Sequence, residues 1–131
     1  MALTIQNILT VNSINLFSGG AASTDPDADA FISATGITDA TQKSAINTLV
    51  VDLKGYSLWT KMDALYPFIG GTSTTHKYNL KNPLDTDAAY RIVWSGGVTH
   101  DVNGVTGNGV NAYGNTFLND DSLSINDKHI S

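Results

Sequence analysis

The sequence predicts an α+β chain: an N-terminal extended arm, a small unit of short helices, then an antiparallel β-sheet that begins a β-sandwich. Three observations carry that reading. Between residues 25 and 70 apolar side chains recur at helical spacing, bracketed by capping residues. From residue 71 the pattern shifts to short runs rich in β-branched and aromatic residues. Residues 95–116, SGGVTHDVNGVTGNGVNAYGNT, then crowd Gly and Asn into one run in which Val98, Val102, Val105, Val110 and Tyr113 keep recurring. A helix does not tolerate such a run, because each interior Gly costs about 1 kcal/mol relative to Ala. The recurring valines also set it apart from a plain linker.

Residues 1–24 form the arm. They carry no charged side chain, and Leu3, Ile5, Ile8, Leu9, Val11, Ile14, Leu16 and Phe17 are scattered among Asn and Ser spacers before Gly19-Gly20. Neither a period of 2 nor one of 3.6 runs through them. A terminal segment of this kind often becomes ordered by packing on something else, which makes these eight apolar residues the expected partner-binding set; the alternative is an ordinary first strand of the domain.

Residues 25–70 make the helical unit. Asp25-Pro26 is a start signal, since Asp accepts orphan N–H bonds and Pro suits the first helical position. That helix runs through Phe31 and Ile32 to Gly36. Asp39 and Gln42 then have capping-box spacing. Ile46, Leu49, Val50 and Leu53 follow the i, i+3, i+4, i+7 rule up to Gly55. A third helix is expected to carry Leu58, Met62, Leu65, Tyr66 and Ile69 on one stripe, ending near Pro67.

Residues 71–131 make the β segment. Thr74–Leu80 and Tyr90–Trp94 read as strands, parted by a turn at Asn82-Pro83 with the acidic Asp85 and Asp87. In the Gly/Asn run, Gly96-Gly97 and Asn103-Gly104 are turn dipeptides that supply φ > 0 where hairpins need it. Phe117, Leu118, Leu123, Ile125 and Ile130 continue a strand-like tail to Ser131 without a closing turn, so the sandwich is expected to be incomplete.

Composition narrows the function classes. The 131 residues suit one ordinary domain, and 12 acidic against 7 basic side chains leave a net charge of −5. That balance disfavours nucleic acid, whose phosphates demand clustered Lys and Arg. The apolar runs are far shorter than the roughly 20 residues that span a bilayer, so membrane insertion is not expected. No basic residue precedes Lys43, so a secretory leader with a charged start is not expected either. Without cysteine there is no disulfide, thiol nucleophile or Cys-ligated zinc.

The short motifs all have plainer explanations. GNGVNA at 107–112 fits a loose dinucleotide pattern, but Tyr-Gly-Asn-Thr follows where a helix should start. Asp25, Asp27 and Asp29 alternate like early calcium-loop ligands, yet Ala30 and Gly36 occupy the places that need Gly and a bidentate Glu. Helix-start carboxylates facing the positive dipole end explain them instead. His76, His100 and His129 lie far apart without zinc-site spacing. Asp85 and Asp87 sit two apart on a turn, which favours solvation over a glycosidase pair. Trp59 and Trp94 fall inside apolar periods and read as core. No catalytic, cofactor-binding or metal residue is assigned, no cofactor is expected, and the chain is read as a non-enzyme.

One long ordered phrase is more specific than these motifs. G-I-T-D at 36–39, AINTLV at 45–50, LWTKM at 58–62, YPFIGGT at 66–72, HKYNLKNP at 76–83, and the later GG-x-TH and NG-x-NAYG-x-T resemble a segment of tailed-bacteriophage virion proteins, notably from phages of Bacteroidota. The resemblance covers about residues 27–131. It implies a helical segment leading into a concanavalin-like (LamG-type) β-sandwich, in the particle-proximal part of a tail or head fibre or adhesin. Its expected partners are capsid, neck or tail proteins and further copies of itself, with a host-surface glycan met through a distal part. The competing readings are a stand-alone glycan-binding, lectin-like module and a polysaccharide depolymerase.

Overall fold

A computed structural model of the chain describes residues 24–119 and residue 121. The eight arm residues from Leu3 to Phe17 and the strand-like tail with Leu123, Ile125, His129 and Ile130 lie outside the described residues. The described part is α+β: an antiparallel helix pair, an irregular middle held by side-chain hydrogen bonds, and two small antiparallel ladders.

Helix α1, Pro26–Thr35, starts as the sequence predicts. Asp25 is its N-cap and accepts from the Asp27 N–H at 3.0 Å. Gly36 closes it in the left-handed conformation, φ 68°, its N–H donating to Ile32 O. Helix α2, Ala40–Gly55, is capped by Asp39, which accepts from Gln42 N–H at 2.8 Å. It ends at Gly55, but the left-handed residue there is Ser57, φ 58°. Ser57 N–H donates to Lys54 O and Leu58 N–H to Leu53 O, the paired bonds of a Schellman ending.

The two helices run back along each other. Asp25 N–H donates to the Asn47 side chain at 2.7 Å, and Lys54 Nζ lies 2.6 Å from both an Asp25 and an Asp27 oxygen. The first two acidic residues of the DPDAD run are thus one cap and two partners of a lysine. Between the helices, Ala28 and Phe31 of α1 meet Ile46 and Val50 of α2, with Ile37, Trp59 and Leu80 closing the core. Leu49 and Leu53 flank it, as the helical stripe predicts.

Three expected elements are different in the structure. The third helix is only a single 3-10 turn, Trp59–Lys61. Leu65 cannot be helical because both its backbone groups face elsewhere: its N–H donates to the Asn79 side chain at 3.0 Å, and its C=O accepts from Leu80 N–H at 2.8 Å. Pro67 further biases Tyr66 towards extended backbone, and Phe68 is left-handed at φ 47°. Leu65 and Ile69 still reach the core, so their apolar spacing reflects burial without helix.

The expected strand Thr74–Leu80 instead opens with a one-turn helix, α3, Ser73–His76. Thr72 Oγ1 accepts from Thr75 N–H at 3.1 Å, and Thr75 Oγ1 accepts from Thr72 N–H at 3.2 Å. This reciprocal capping box is built from two threonines, residues whose composition favours a strand. Local side-chain bonds to the backbone outcompete that preference.

Asn79 then ties the middle together. Its side chain is fully buried. Its Oδ1 accepts from Leu65 and Lys81 N–H, each at 3.0 Å, while Nδ2 donates to Ala89 O at 3.1 Å and more weakly to Asp63 O at 3.4 Å.

The ladders come last along the chain. Strand β1, Val93–Ser95, pairs antiparallel with β4, Tyr113–Asn115, with Trp94 opposite Gly114. Strand β2, Val98–Asp101, pairs antiparallel with β3, Gly104–Gly107, and this hairpin sits in sequence between β1 and β4. The expected strand Tyr90–Trp94 therefore begins later: Tyr90 is left-handed, φ 58°, after the 3-10 turn Asp87–Ala89.

Replacing Asn79 by Leu keeps the branched heavy-atom shape but leaves the buried Ala89 C=O and the partly buried Leu65 and Lys81 N–H groups without their partner. Each costs about 1–3 kcal/mol, so a loss of at least about 3 kcal/mol is expected in chemical denaturation. Asp39→Ala removes a single cap bond and should cost about 1 kcal/mol. Similar losses for the two variants would remove Asn79 from its central place.

Candidate functional site

The Gly/Asn run is a set of turns locked by its own side chains. In the β2–β3 hairpin, Asp101 Oδ1 accepts from Asn103 N–H at 2.7 Å, and Gly104 takes φ 127°. Of the Asn103-Gly104 dipeptide only the glycine has positive φ, so the turn differs from the type with two left-handed residues. Farther on, Asn108 Oδ1 accepts from the N–H groups of Val110, Asn111 and Ala112, at 3.0, 3.1 and 3.2 Å. Its Nδ2 donates to Asn111 Oδ1, which also accepts from Gly97 N–H. Three backbone donors of the loose dinucleotide pattern, those of Val110, Asn111 and Ala112, are thereby occupied by an asparagine. A Cβ on Gly96 would stand 2.1 Å from Asn111 O, so close backbone approach demands glycine there.

Beside these turns lies an aromatic and histidine cluster. Tyr66 and Phe68 stack with centroids 6.4 Å apart; Phe68 meets His76 edge-on at 5.9 Å and Trp94 at 6.1 Å. Trp94 in turn meets His100 edge-on at 4.8 Å. Two of the aromatic elements carry left-handed backbone. Phe68 is one, and the other is Tyr90, whose C=O accepts from the Tyr66 hydroxyl. Positive φ at a bulky side chain is strained and persists only where the surroundings over-determine it.

The histidines are the part of the cluster that sequence spacing does not disclose. His76 on α3 is 1% exposed, and its Nδ1 lies 3.0 Å from the Nδ1 of His100 on β2. His76 Nε2 accepts from Gly71 N–H at 3.2 Å. A ring nitrogen that accepts carries no proton, so His76 is protonated on Nδ1 and donates to His100. Burial, then the neighbouring His100, holds the His76 imidazole below the ordinary histidine value, with Asp101 opposing. No local repeat joins residues 76 and 100; only the fold does. His129 lies outside the described residues.

Trp94 is half-buried in this cluster, its indole N–H donating to Ser73 O at 3.2 Å. Trp59 is a core residue, with the Lys81 ammonium 3.9 Å from its ring centroid. Lys81 also donates to Trp59 O, and burial lowers the pKa of its amine. Asp85 and Asp87 sit on the surface and pair with basic groups: Asp85 with Lys77 at 2.6 Å and Arg91 at 2.9 Å, Asp87 with Arg91 at 2.9 Å. Lys77 first, then Arg91, holds the Asp85 carboxyl below its ordinary value. Among the described residues no group of three or more His, Asp or Glu side chains is arranged to hold a metal ion, and no helix is long and apolar enough to cross a membrane.

Comparison with family models, with curated proteins and with solved structures finds no match to this chain.

The cluster has two measurable consequences. Burial pushes the Tyr66 phenol up to about 12 from an ordinary 10. A raised acid pKa in the folded state stabilises fully below pH 10 and loses that contribution as pH rises through 12. Tyr66→Phe should flatten stability between those limits, and tyrosinate absorbance should lose its late step. A Cβ on Gly114 would come within 2.7 Å of Ile92 and 2.8 Å of the Trp94 ring. Gly114→Ala should therefore displace the indole, lowering stability by about 1–3 kcal/mol and changing the Trp fluorescence spectrum. An unaltered spectrum would show that the ring has room.

Proposed function

We propose that this chain is a non-catalytic structural protein of a tailed-phage virion, the particle-proximal part of a tail or head fibre or adhesin. It works by assembly, docking to other virion proteins and to copies of itself. The observation that carries this reading is the form of the β segment. Each ladder has two strands, so each leaves its outer edges without a strand partner among the described residues. Isolated two-stranded ladders are marginal in water, and open edges accept a strand from a neighbour. Exposed apolar side chains lie on and beside them: Tyr113 at 62%, Val102 at 84% and Val110 at 88%.

In this reading the ladders are early strands of the concanavalin-like sandwich implied by the sequence resemblance. The arm, with Leu3, Ile5, Ile8, Leu9, Val11, Ile14, Leu16 and Phe17, is the docking element. The outward face of α2, including Ala45, Thr48 and the half-exposed Val51, offers a shallow surface against which copies can pack.

A photo-crosslinking residue placed at Ile8 or Phe17 tests the reading in intact particles. The expected result is a covalent adduct between this chain and another virion protein. Absence of the chain from purified particles, with the protein confined to the soluble lysate, would sink it.

A further inference from the structure

We propose that the His76–His100 contact is an acid-sensitive latch holding the β2–β3 hairpin against the α3 turn. The inference does not depend on the virion reading. It rests on a chain of bonds that crosses from one segment to the other: Gly71 N–H to His76 Nε2, then His76 Nδ1–H to His100 Nδ1. Gly71 also abuts the hairpin directly, where a Cβ would lie 3.4 Å from the main chain of Asp101 and Val102.

The contact accommodates a single proton. His76 Nε2 is spent accepting from Gly71, and His76 Nδ1–H requires a lone pair on His100 Nδ1. A second proton at the pair sets two N–H groups face to face, and one on His76 Nε2 opposes the Gly71 N–H. Two Nδ1 atoms at 3.0 Å would also suit a shared metal ion. That would leave His76 with no proton on either nitrogen, an imidazolate, because the Gly71 N–H already occupies Nε2. A neutral hydrogen-bonded pair needs no such cost.

The groups around His76 set the direction of the response. His100 and Asp101, both on β2, are the titratable groups that act on it; Phe68 and the Gly71 main chain, from the preceding segment, carry no charge. Burial and His100 disfavour its protonation more than Asp101 favours it. A base whose folded pKa is depressed stabilises the closed state fully above the ordinary histidine value of 6.5. That stabilisation is lost progressively as pH falls below it, because only the opened state takes up the proton. One proton linked to opening raises the opening equilibrium by up to about tenfold per pH unit.

The full chain, isotopically labelled, provides the test through imidazole nitrogen NMR and amide hydrogen exchange. At about pH 7.5, above the ordinary histidine range, His76 should carry its proton on Nδ1 and His100 on Nε2. Exchange in the β2–β3 ladder, corrected for intrinsic chemistry, should stay level down to about pH 6.5 and then accelerate by up to about tenfold per unit towards about pH 5.5, while α2 stays protected. His76→Gln removes the titrating ring while its amide can still accept from Gly71 N–H and donate to His100, and should weaken that acid response several-fold. Reversed tautomers, a hairpin indifferent to pH, an equal response in α2, or an undiminished response in His76→Gln would each overturn the latch. Should His76→Gln fail to fold, the tautomers and exchange of the unaltered chain decide the matter.

Discussion

The middle of this protein depends on the buried amide of Asn79. From Tyr56 to Ile92 there is little regular structure: two 3-10 turns and one turn of helix. Backbone groups in such a segment must still find partners once buried. Asn79 supplies two acceptor and two donor bonds to residues 63, 65, 81 and 89. Backbone bonds beside it extend the tie, Leu80 to Leu65 and Ile92 to Lys77, each 2.8 Å. In effect one side chain does for three stretches of chain what a ladder does for a sheet. It also places Leu80 in the core against the helix pair, and so joins the helical unit to the β segment.

Around that hub the strain is local and has evident restraints. Tyr90 holds left-handed backbone while its carbonyl is bonded by Tyr66, and Phe68 holds it while its ring is shared among Tyr66, His76 and Trp94. Phe68 and Trp94 pack edge-on against His76 and His100 respectively, and His76 is buried. Burial, tautomer and packing are consequently one arrangement, in which the position of the hairpin and the protonation of the pair depend on each other.

The β segment is built for short range. Asn108, Asn111 and Asp101 satisfy the backbone of their own turns, so the hairpin keeps its shape with little support from a core. Among the described residues the ladders leave open edges and the exposed side chains of Val102, Val110 and Tyr113, and this is the physical basis of the proposed assembly role. The ion pairs of Asp85 and Asp87 with Lys77 and Arg91 lie at the surface, where such contacts contribute modestly.

The sequence determined by itself the features that short-range chemistry dictates. Asp25-Pro26, Gly36, Asp39 and the stripe Ile46, Leu49, Val50, Leu53 specify the helix pair, because caps and period act within a few residues. Gly96 and Asn103-Gly104 likewise announce turns, and α+β emerges from the change of pattern near residue 71. Only the tertiary structure decided the rest. Leu65 has helical spacing but bonds to residues 79 and 80; Thr72 and Thr75 have strand-forming composition but close on each other. Asn79 looks like any asparagine until backbone groups of Asp63, Leu65 and Ala89 converge on it. His76 and His100, 24 residues apart, become partners through the docking of a hairpin on a helical turn. Propensity and period report the nearest neighbours along the chain, whereas these contacts belong to neighbours in space.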